Sequence, residues 1–148
     1  MRTLISSAVA ILALSASAFA QNPTITVAES EKFGKYITSD NGRPVYLFTT
    51  DTRGTGDQDA KISCTSPECL GAWPLVIANG DPQAGGDAKP ELLGTTQHEG
   101  QTVVTYNGWP LYHFVRDQGA DAPQGQDVGS FGGEWYLVTP EGEKVEAK

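Results

Sequence analysis

The sequence is poor in the residues from which catalytic and metal centres are usually built. Its 148 residues include two histidines, two cysteines and one methionine. The histidines form no H-E-x-x-H motif, no serine lies in a G-x-S-x-G elbow, and no phosphate-binding loop is present. The sequence therefore predicts a protein that is not an enzyme, with no catalytic residue and no cofactor.

Long apolar runs are missing after residue 20, so no later segment approaches the ~20 apolar residues that a bilayer crossing needs. The early run from Leu4 to Leu14 follows Arg2 and precedes Ala18-Phe19-Ala20, a typical cleavage site. Residues 1–20 are predicted to be a signal peptide cleaved at about Ala20. No cysteine stands at the cleavage site, so we expect a soluble exported protein, periplasmic or extracellular, without a lipid anchor.

Basic residues are scarce, with ten Lys and Arg against 18 Asp and Glu and a net charge of -8 at pH 7. Loss of the leader removes Arg2, which leaves nine basic residues and a net charge of -9. Such a chain repels nucleic acid. The acidity is interpreted either as a device for solubility or as a surface that attracts cations or basic partners. We expect a monomer.

Apolar residues do not recur at helical spacing in the mature chain, so helix should be scarce. An internal repeat is present instead. Residues 41–51 and 107–117 both read N-G-x-P-[VL]-Y-x-F-x-x-D without a gap, and the segment around Trp73 is echoed around Trp135. The repeats cover about residues 35–77 and 91–142. Because residues 21–148 are the size of one domain, the repeats are halves of a single β domain.

Alternating residues predict a strand at 24–27, and extended runs predict strands at 33–38 and 45–49 in the first half. Both faces of the 45–49 strand are apolar, so we expect it to be buried on both sides. Asn41-Gly42 is a strong signal for a tight turn between two of them. The second half should form a meander over 91–97, 101–106 and 111–115, followed by a hairpin of 135–139 and 144–147. The predicted fold class is all-β, an antiparallel sandwich or barrel built from two similar repeats with internal pseudo-two-fold symmetry.

The repeated motif places one aromatic pair and one carboxylate in each half. The motif residues are Tyr46, Phe48 and Asp51 in the first copy and Tyr112, Phe114 and Asp117 in the second. We interpret the aromatic residues as core and each aspartate as a hydrogen-bond acceptor for turn amides in the loop that follows. The alternative is that the two loops bind a hard cation through carboxylates. The weak candidates for metal binding are Asp51, Asp57, Asp59, Asp117, Asp121 and Asp127.

Cys64 and Cys69 are separated by four residues, and export makes their oxidation to a disulfide the default. Closing so short a loop removes little chain entropy, about 2 kcal/mol. The alternative is a redox pair or a soft-metal site, although the spacing is not C-x-x-C. His113 takes the place of Leu47 in the other copy, so it is predicted to be a half-buried structural residue.

Taken together, the two Tyr-x-Phe-x-x-Asp copies, the cysteine loop running into Trp73-Pro74, and the run from Val104 to Tyr112 resemble the bacterial "secreted repeat of unknown function" family. These are predicted lipoproteins with a Yx(FWY)xxD motif, and the likeness runs from about Lys35 to Gly142. The resemblance implies an exported β-repeat protein without an assigned activity, and it transfers no catalytic residue. The sequence departs from the family in having Gln21 after the leader, where many members resemble lipoproteins with a lipidated cysteine.

The sequence thus favours an exported, non-catalytic β-repeat protein that acts as a binding or structural module in the cell envelope. Its partner would be an unknown small molecule, a cation or an envelope protein. The alternative function is a redox or metal-linked periplasmic accessory protein that uses Cys64 and Cys69 or the Asp-rich loops.

Overall fold

The computed structural model describes residues 22–118 and 122–146. The predicted signal peptide and Asp121 lie outside these ranges. The strands within them are β1 (Thr24–Ser30), β2 (Gly34–Ser39), β3 (Arg43–Pro44), β4 (Tyr46–Phe48), β5 (Gln83–Ala84), β6 (Leu93–His98), β7 (Gln101–Tyr106), β8 (Trp109–Pro110), β9 (Val128–Ser130) and β10 (Gly133–Leu137). Helical structure in the described part is limited to α1 (Pro67–Ala72) and two 3-10 turns, Asp40–Gly42 and Pro90–Leu92. The predicted all-β class is confirmed.

The strands form three small sheets with the orders β3-β2-β1-β5, β4-β10-β9 and β6-β7-β8. All pairings are antiparallel except the short parallel contact of β1 with β5. Within the described ranges the sheets do not close into a barrel. The internal two-fold symmetry of the two repeats stays a prediction. No helix in these ranges is long and apolar enough to cross a membrane.

The turn that opens each motif copy forms where the Asn-Gly signal predicts it. Asn41 and Gly42 have φ of 59° and 76°, and Asn107 and Gly108 have φ of 50° and 81°. Positive φ costs little for asparagine and nothing for glycine. A Cβ at Gly108 would also lie only 2.0 Å from the carbonyl oxygen of Gly54. This second turn therefore needs glycine for close packing as well as for its backbone angles.

The motif strand of the first repeat is buried on both faces, as its sequence predicts. Val45 and Leu47 contribute to one hydrophobic cluster, and Tyr46 and Phe48 contribute to the other. The four side chains are at most 2% exposed. A strand between two apolar clusters alternates its side chains between them, because successive residues point to opposite faces. Most of the core is organised around this strand and its counterpart in the second repeat.

Two predicted strands are reduced to isolated bridges. Tyr112 bridges to Tyr46 on one side and to Leu75 on the other, and Lys144 bridges to Val138. The segment 111–115 does not form a ladder because its amide groups change partner at each residue. The N–H of Leu111 donates to Val104, whereas that of Tyr112 donates to Tyr46. The end of the predicted last strand, at Ala147, lies outside the described residues.

Candidate functional site

The two copies of the motif meet at their tyrosines. The N–H of Tyr46 donates to the carbonyl oxygen of Tyr112 at 2.9 Å, and the N–H of Tyr112 donates back to Tyr46 at 3.0 Å. The two motif strands are therefore in direct contact although they are far apart in the chain. This contact brings all six motif residues to the centre of the molecule.

Each tyrosine hydroxyl reaches the aspartate of the other copy. Tyr46 Oη donates to Asp117 Oδ2 at 2.5 Å, and Tyr112 Oη donates to Asp51 Oδ2 at 2.8 Å. All four side chains are buried, the aspartates being 7% and 6% exposed. Hydrogen bonds to a carboxylate are stronger than those between neutral groups. The motif therefore joins the halves reciprocally, a pairing that could not be predicted from either copy by itself.

The second oxygen of each aspartate accepts hydrogen bonds from its own loop, as predicted. Asp51 Oδ1 accepts from both the N–H and the hydroxyl of Ser63, at 2.8 and 2.7 Å. Asp117 Oδ1 accepts from the N–H of Gln124 at 2.8 Å. Both carboxylates thus have protein donors on both oxygens. The aspartates hold the loops that follow the motif strands against the core.

Burial sets the protonation behaviour of these pairs. Burial removes the Asp51 carboxylate from water and raises its pKa, and the hydrogen bonds from Ser63 and Tyr112 oppose that rise. Burial and the neighbouring aspartate also raise the pKa of Tyr46 and of Tyr112 above the ordinary value for tyrosine. Both tyrosines are therefore neutral donors at physiological pH, and neither is prepared to act as a general base.

A column of four stacked aromatic rings runs through the centre beside these pairs. Its order is Phe48, Trp135, Trp73 and Phe114, with successive ring centroids 3.9, 4.0 and 4.1 Å apart. The two motif tyrosines contact the indoles edge-on, with centroids 5.4 and 5.0 Å apart. The column is almost completely buried. The rings form one buried cluster with the two motif tyrosines, so the motif is part of the scaffold.

The tryptophan segments exchange between the repeats in the same way. Trp135 belongs to the second repeat and pairs in register with Phe48 of the first. On the other side, the N–H of Val115 donates to Ala72 at 3.0 Å, beside Trp73 of the first repeat. Each repeat therefore supplies the tryptophan that stacks on the phenylalanine of the other. Neither repeat has a complete core without its partner.

The predicted disulfide is present between Cys64 and Cys69, and the described residues include no free cysteine. Both cysteines are 2% exposed and belong to the same cluster as the aromatic column. Helix α1 begins inside this loop, where Ser66 Oγ accepts from the N–H of Cys69 at 3.2 Å. The bond connects the loop after the first motif to the core.

The sequence analysis missed one polar pair, Ser39 with His113. Ser39 Oγ lies 2.6 Å from His113 Nε2, and Ser39 is 1% exposed. Burial and the nearby Arg43 lower the pKa of His113 to about 4, so its ring is neutral at physiological pH. His113 is half-buried and structural, as predicted. A substrate could not reach a serine so deeply buried, and the pair acts as another connection between the repeats.

The structure does not bring the cation candidates together as a ligand set. No group of three or more His, Cys, Asp or Glu side chains suited to a metal ion occurs in the described ranges. Asp51 and Asp117 are engaged by tyrosine, as described above. Asp57 and Asp59 are exposed, and Asp127 lies in a turn with φ of 61°. Asp121 lies outside the described residues, and cation binding by the loops stays a hypothesis.

A polar groove of about 470 Å3 lies between the 53–60 loop and the second repeat. The loop is closed by reciprocal backbone hydrogen bonds between Thr52 and Lys61, at 2.9 and 3.0 Å. It is anchored on the second Asn-Gly turn, since Arg53 Nε donates to the carbonyl oxygen of Asn107 at 2.6 Å. The sequence of this loop is polar and contains two glycines, and nothing in it indicates a groove.

Hydroxyl groups are the most frequent side-chain polar groups in the walls of this groove. The threonines that line it are Thr55, Thr95, Thr96 and Thr105. Its charged lining residues are Arg53, Asp59 and Glu91, which are all exposed. Such a surface can offer donors and acceptors to a polar molecule. It includes no arrangement of nucleophile and base.

Residues 95–139 match the family described as "secreted repeat of unknown function". The matched segment includes the second copy of the motif and the Trp135 segment, and it confirms the resemblance deduced from the sequence. No curated protein matches the chain, and no solved structure does. The family description supports an exported protein whose molecular function is unknown.

Proposed function

We propose that the protein is a non-catalytic binding module of the cell envelope, and that the polar groove beside the second repeat holds its ligand. The observation that carries this proposal is the construction of the groove. An exposed loop is anchored on the Asn107-Gly108 turn, and this leaves a concave surface of about 470 Å3. Ligand sites for small molecules are usually concave and largely preformed, with volumes of about 300–1,000 Å3.

The motif residues support this location indirectly. Their hydroxyl and carboxylate groups bond to each other across the repeats, and their rings fill the centre. A buried network of this kind specifies and stiffens a core. Binding functions are commonly located on loops that such a scaffold positions. The 53–60 loop follows the first motif copy directly, so the scaffold fixes both of its ends.

The chemistry of the groove favours a small, uncharged and polar ligand. Its threonine hydroxyls and loop amides can form hydrogen bonds with hydroxyl or amide groups of a solute. The lining carries two acidic side chains, Asp59 and Glu91, and one basic side chain, Arg53, so its acidic excess is a single charge and does not by itself select a small ion. The groove contains no aromatic side chain, which argues against ligands that bind by ring stacking.

A thermal-shift screen of the mature protein against small polar solutes, divalent cations and soft metals tests this proposal. A ligand at a hundred times its dissociation constant adds about 2.7 kcal/mol to the free energy of unfolding, which raises Tm by several degrees in a domain of this size. Gln58→Ala changes an exposed groove residue and should weaken binding. Gln101→Ala makes the same change on the exposed start of β7, outside the groove lining, and should not.

Different results would replace this proposal. Stabilisation by calcium that is lost in Asp51→Asn or Asp117→Asn would move the function to the aspartate loops. Binding of a soft metal together with loss of the disulfide would support the redox or metal-linked alternative. A hit that Gln58→Ala and Gln101→Ala affect equally would place the ligand outside the groove.

A further inference from the structure

The two hairpins that precede the motif copies differ at their outer edges. The β1–β2 hairpin precedes the first motif copy, and the β6–β7 hairpin precedes the second. The outer side of β1 is partly covered by β5, since the N–H of Gln83 donates to Pro23 at 3.0 Å and that of Gly85 donates to Ile25 at 2.8 Å. In contrast, β6 is the last strand of its sheet. Within the described ranges, no backbone hydrogen bond reaches its outer side.

The pairing register identifies which groups of β6 are unpaired. On β7, the carbonyl oxygen of Thr102 and the N–H of Val104 bond away from β6, to Ala78 and Val76. Thr95 is opposite Val104, and Gln97 is opposite Thr102. In an antiparallel ladder, opposite residues either bond to each other or both point their polar groups away. Thr95 and Gln97 therefore direct their N–H and C=O groups to the open side of β6.

This edge also lacks the usual protection against an added strand. Exposed edge strands are commonly protected by lysine, proline or a bulge. Residues 93–98 read Leu-Gly-Thr-Thr-Gln-His, and they pair with β7 without interruption. Thr95 and Gln97 are both exposed. The edge is therefore accessible at Thr95 and Gln97, and β6 itself has no lysine, proline or acidic residue.

We propose that the open edge of β6 receives an extended, basic segment of a partner protein, which adds to the sheet as a further strand. This inference rests on the proposed function only in taking the protein to be a binding module, and it adds a protein partner at the β6 edge to the small ligand of the groove. In strand addition the main chain supplies hydrogen bonds, and pockets on the two faces receive alternate side chains. The parallel strand β5 on the edge of β1 shows that an extended segment can add to the hairpin that precedes the first motif copy.

Two cavities adjoin the β6 edge. The polar groove is lined by Gly94, Thr95 and Thr96 of this strand. A second cavity of about 380 Å3 is lined by Leu93, Gly94 and Thr95, together with Pro82 and Ala84 from the β5 region. Side chains alternate between the faces of a strand. An added strand could thus place side chains in either cavity.

The surrounding charges favour a basic segment. Asp59 and Glu91 line the groove, Asp81 lines the second cavity, and Glu99 follows the end of β6. Arg53 is the basic residue among the linings of these two cavities. The whole chain carries a net charge of -8. Two copies would repel each other at this edge, so a basic partner fits better than a second copy.

The test uses a blocked octapeptide of alternating threonine and lysine, with a threonine and glutamate peptide as its control. On addition of the lysine peptide at low salt, amide hydrogen exchange of Thr95 and Gln97 should slow by about tenfold or more, because their N–H groups become bonded. Exchange of Thr96, which already bonds within the hairpin, should change little. The glutamate peptide should bind about tenfold more weakly or not at all.

Two variants at one position separate the backbone from the side chain. Thr95→Pro removes the outward N–H and should weaken binding of the lysine peptide by about tenfold. Thr95→Ala keeps that N–H and changes only the side chain that lines the cavities, so it should weaken binding less than Thr95→Pro does. If Thr95→Pro fails to fold, the exchange pattern of the unmodified protein still decides the question. Protection of other amides, or equal binding of the two peptides, would contradict the proposal.

The remaining outcomes separate this inference from the proposed function. A dimer in sedimentation, with Thr95 and Gln97 protected before any peptide is added, would make a second copy the occupant and overturn the proposal of a basic partner. A polar solute that binds the groove while neither peptide binds would overturn the strand addition and leave the binding module standing. The absence of binding by solutes and peptides alike would contradict both.

Discussion

The two repeats are similar where they face each other and different where they face outward. Tyr46 and Tyr112 make equivalent contacts with the opposite aspartates, and the rings of the two halves stack in one column. The hairpins that precede the two copies diverge, because β5 covers part of the edge of β1 whereas β6 is open. The comparison teaches that the repeated motif maintains the interface between the halves. A binding site is therefore better sought on the outer surfaces, where the two halves differ.

The interior also contains differences, and these can be tested. Leu47 of the first copy corresponds to His113 of the second, and Arg43 corresponds to Trp109. Asp51 accepts two hydrogen bonds from Ser63, whereas the equivalent oxygen of Asp117 accepts one from Gln124. Each difference predicts an unequal response to the same type of substitution in the two halves.

The largest effect is expected from the paired tryptophans at the centre of the column. Trp73→Ala and Trp135→Ala should each lower the free energy of unfolding by roughly 3 to 5 kcal/mol, because each leaves a cavity between stacked rings. The two losses should be similar if the halves contribute equally. Urea unfolding followed by circular dichroism would measure them. Phe131→Ala, at a side chain that is 46% exposed, is the control and should change stability little.

A small loss for one tryptophan beside a large loss for the other would show that a single repeat carries the core. That result would contradict the reciprocal exchange of tryptophan segments between the halves.

The next effect concerns pH and His113, which takes the place of Leu47 in the second motif copy. The pKa of His113 falls from 6.5 to about 4 on folding, so the unfolded chain binds a proton more readily. His113 therefore lowers the free energy of unfolding by about 3 kcal/mol as the pH falls from 6.5 towards 4. His113→Leu, which copies Leu47, should remove this loss. Unfolding curves of both proteins between pH 7 and 4 would show it.

The pKa of Asp51 is raised in the folded state, so the folded protein takes up a proton at Asp51 more readily than the unfolded chain does. Lowering the pH through this range therefore favours folding at Asp51, which is opposite to the effect of His113. Asp51 is common to both proteins, so the difference between their curves isolates His113. Parallel curves would contradict the prediction.

A smaller effect should distinguish the two tyrosine hydroxyls. Tyr46→Phe leaves Asp117 with the Gln124 donor and also removes an acceptor for the N–H of Gly125, 3.1 Å away. We expect this change to cost about 2 kcal/mol. Tyr112→Phe should cost about 1 kcal/mol, because Asp51 retains both donors from Ser63. Chemical denaturation of the two variants gives the comparison.

A double-mutant cycle of Tyr46→Phe with Asp117→Asn should show coupling, whereas Tyr46→Phe with Asp51→Asn should be close to additive. Equal costs for the two tyrosine variants would mean that the additional donors at Asp51 do not matter.

The smallest effect is expected at Trp109, where the first copy has Arg43. Trp109 is partly buried at the margin of one cluster, and its indole N–H has no hydrogen-bond partner in the described part of the chain. Trp109→Ala should therefore cost about 1 kcal/mol, as an average substitution does. Tm measurements beside Tyr112→Ala, at a fully buried side chain, would provide the contrast. A larger loss at Trp109 than at Tyr112 would reverse the assignment of core and margin.

Local features were predictable from the sequence because they depend on neighbouring residues. The Asn-Gly turns require positive φ, and the alternation around Tyr46 and Phe48 indicates a strand buried on both faces. The close spacing of Cys64 and Cys69 in an exported chain indicates their disulfide. The segment 111–115 was predicted as a strand for the same local reasons. Its amides bond to three different neighbours, so it forms only bridges.

The sequence by itself determined the all-β class, the two motif copies and the identity of the residues that fill the core. Only the tertiary structure decided that Tyr46 bonds to Asp117 and not to Asp51, that the tryptophans stack across the repeats, and that β6 is left with an open edge. Two copies of one motif are equally compatible with contacts inside a repeat and between repeats. The packing of whole sheets selects between them, since each repeat alone lacks the aromatic rings that would fill its core.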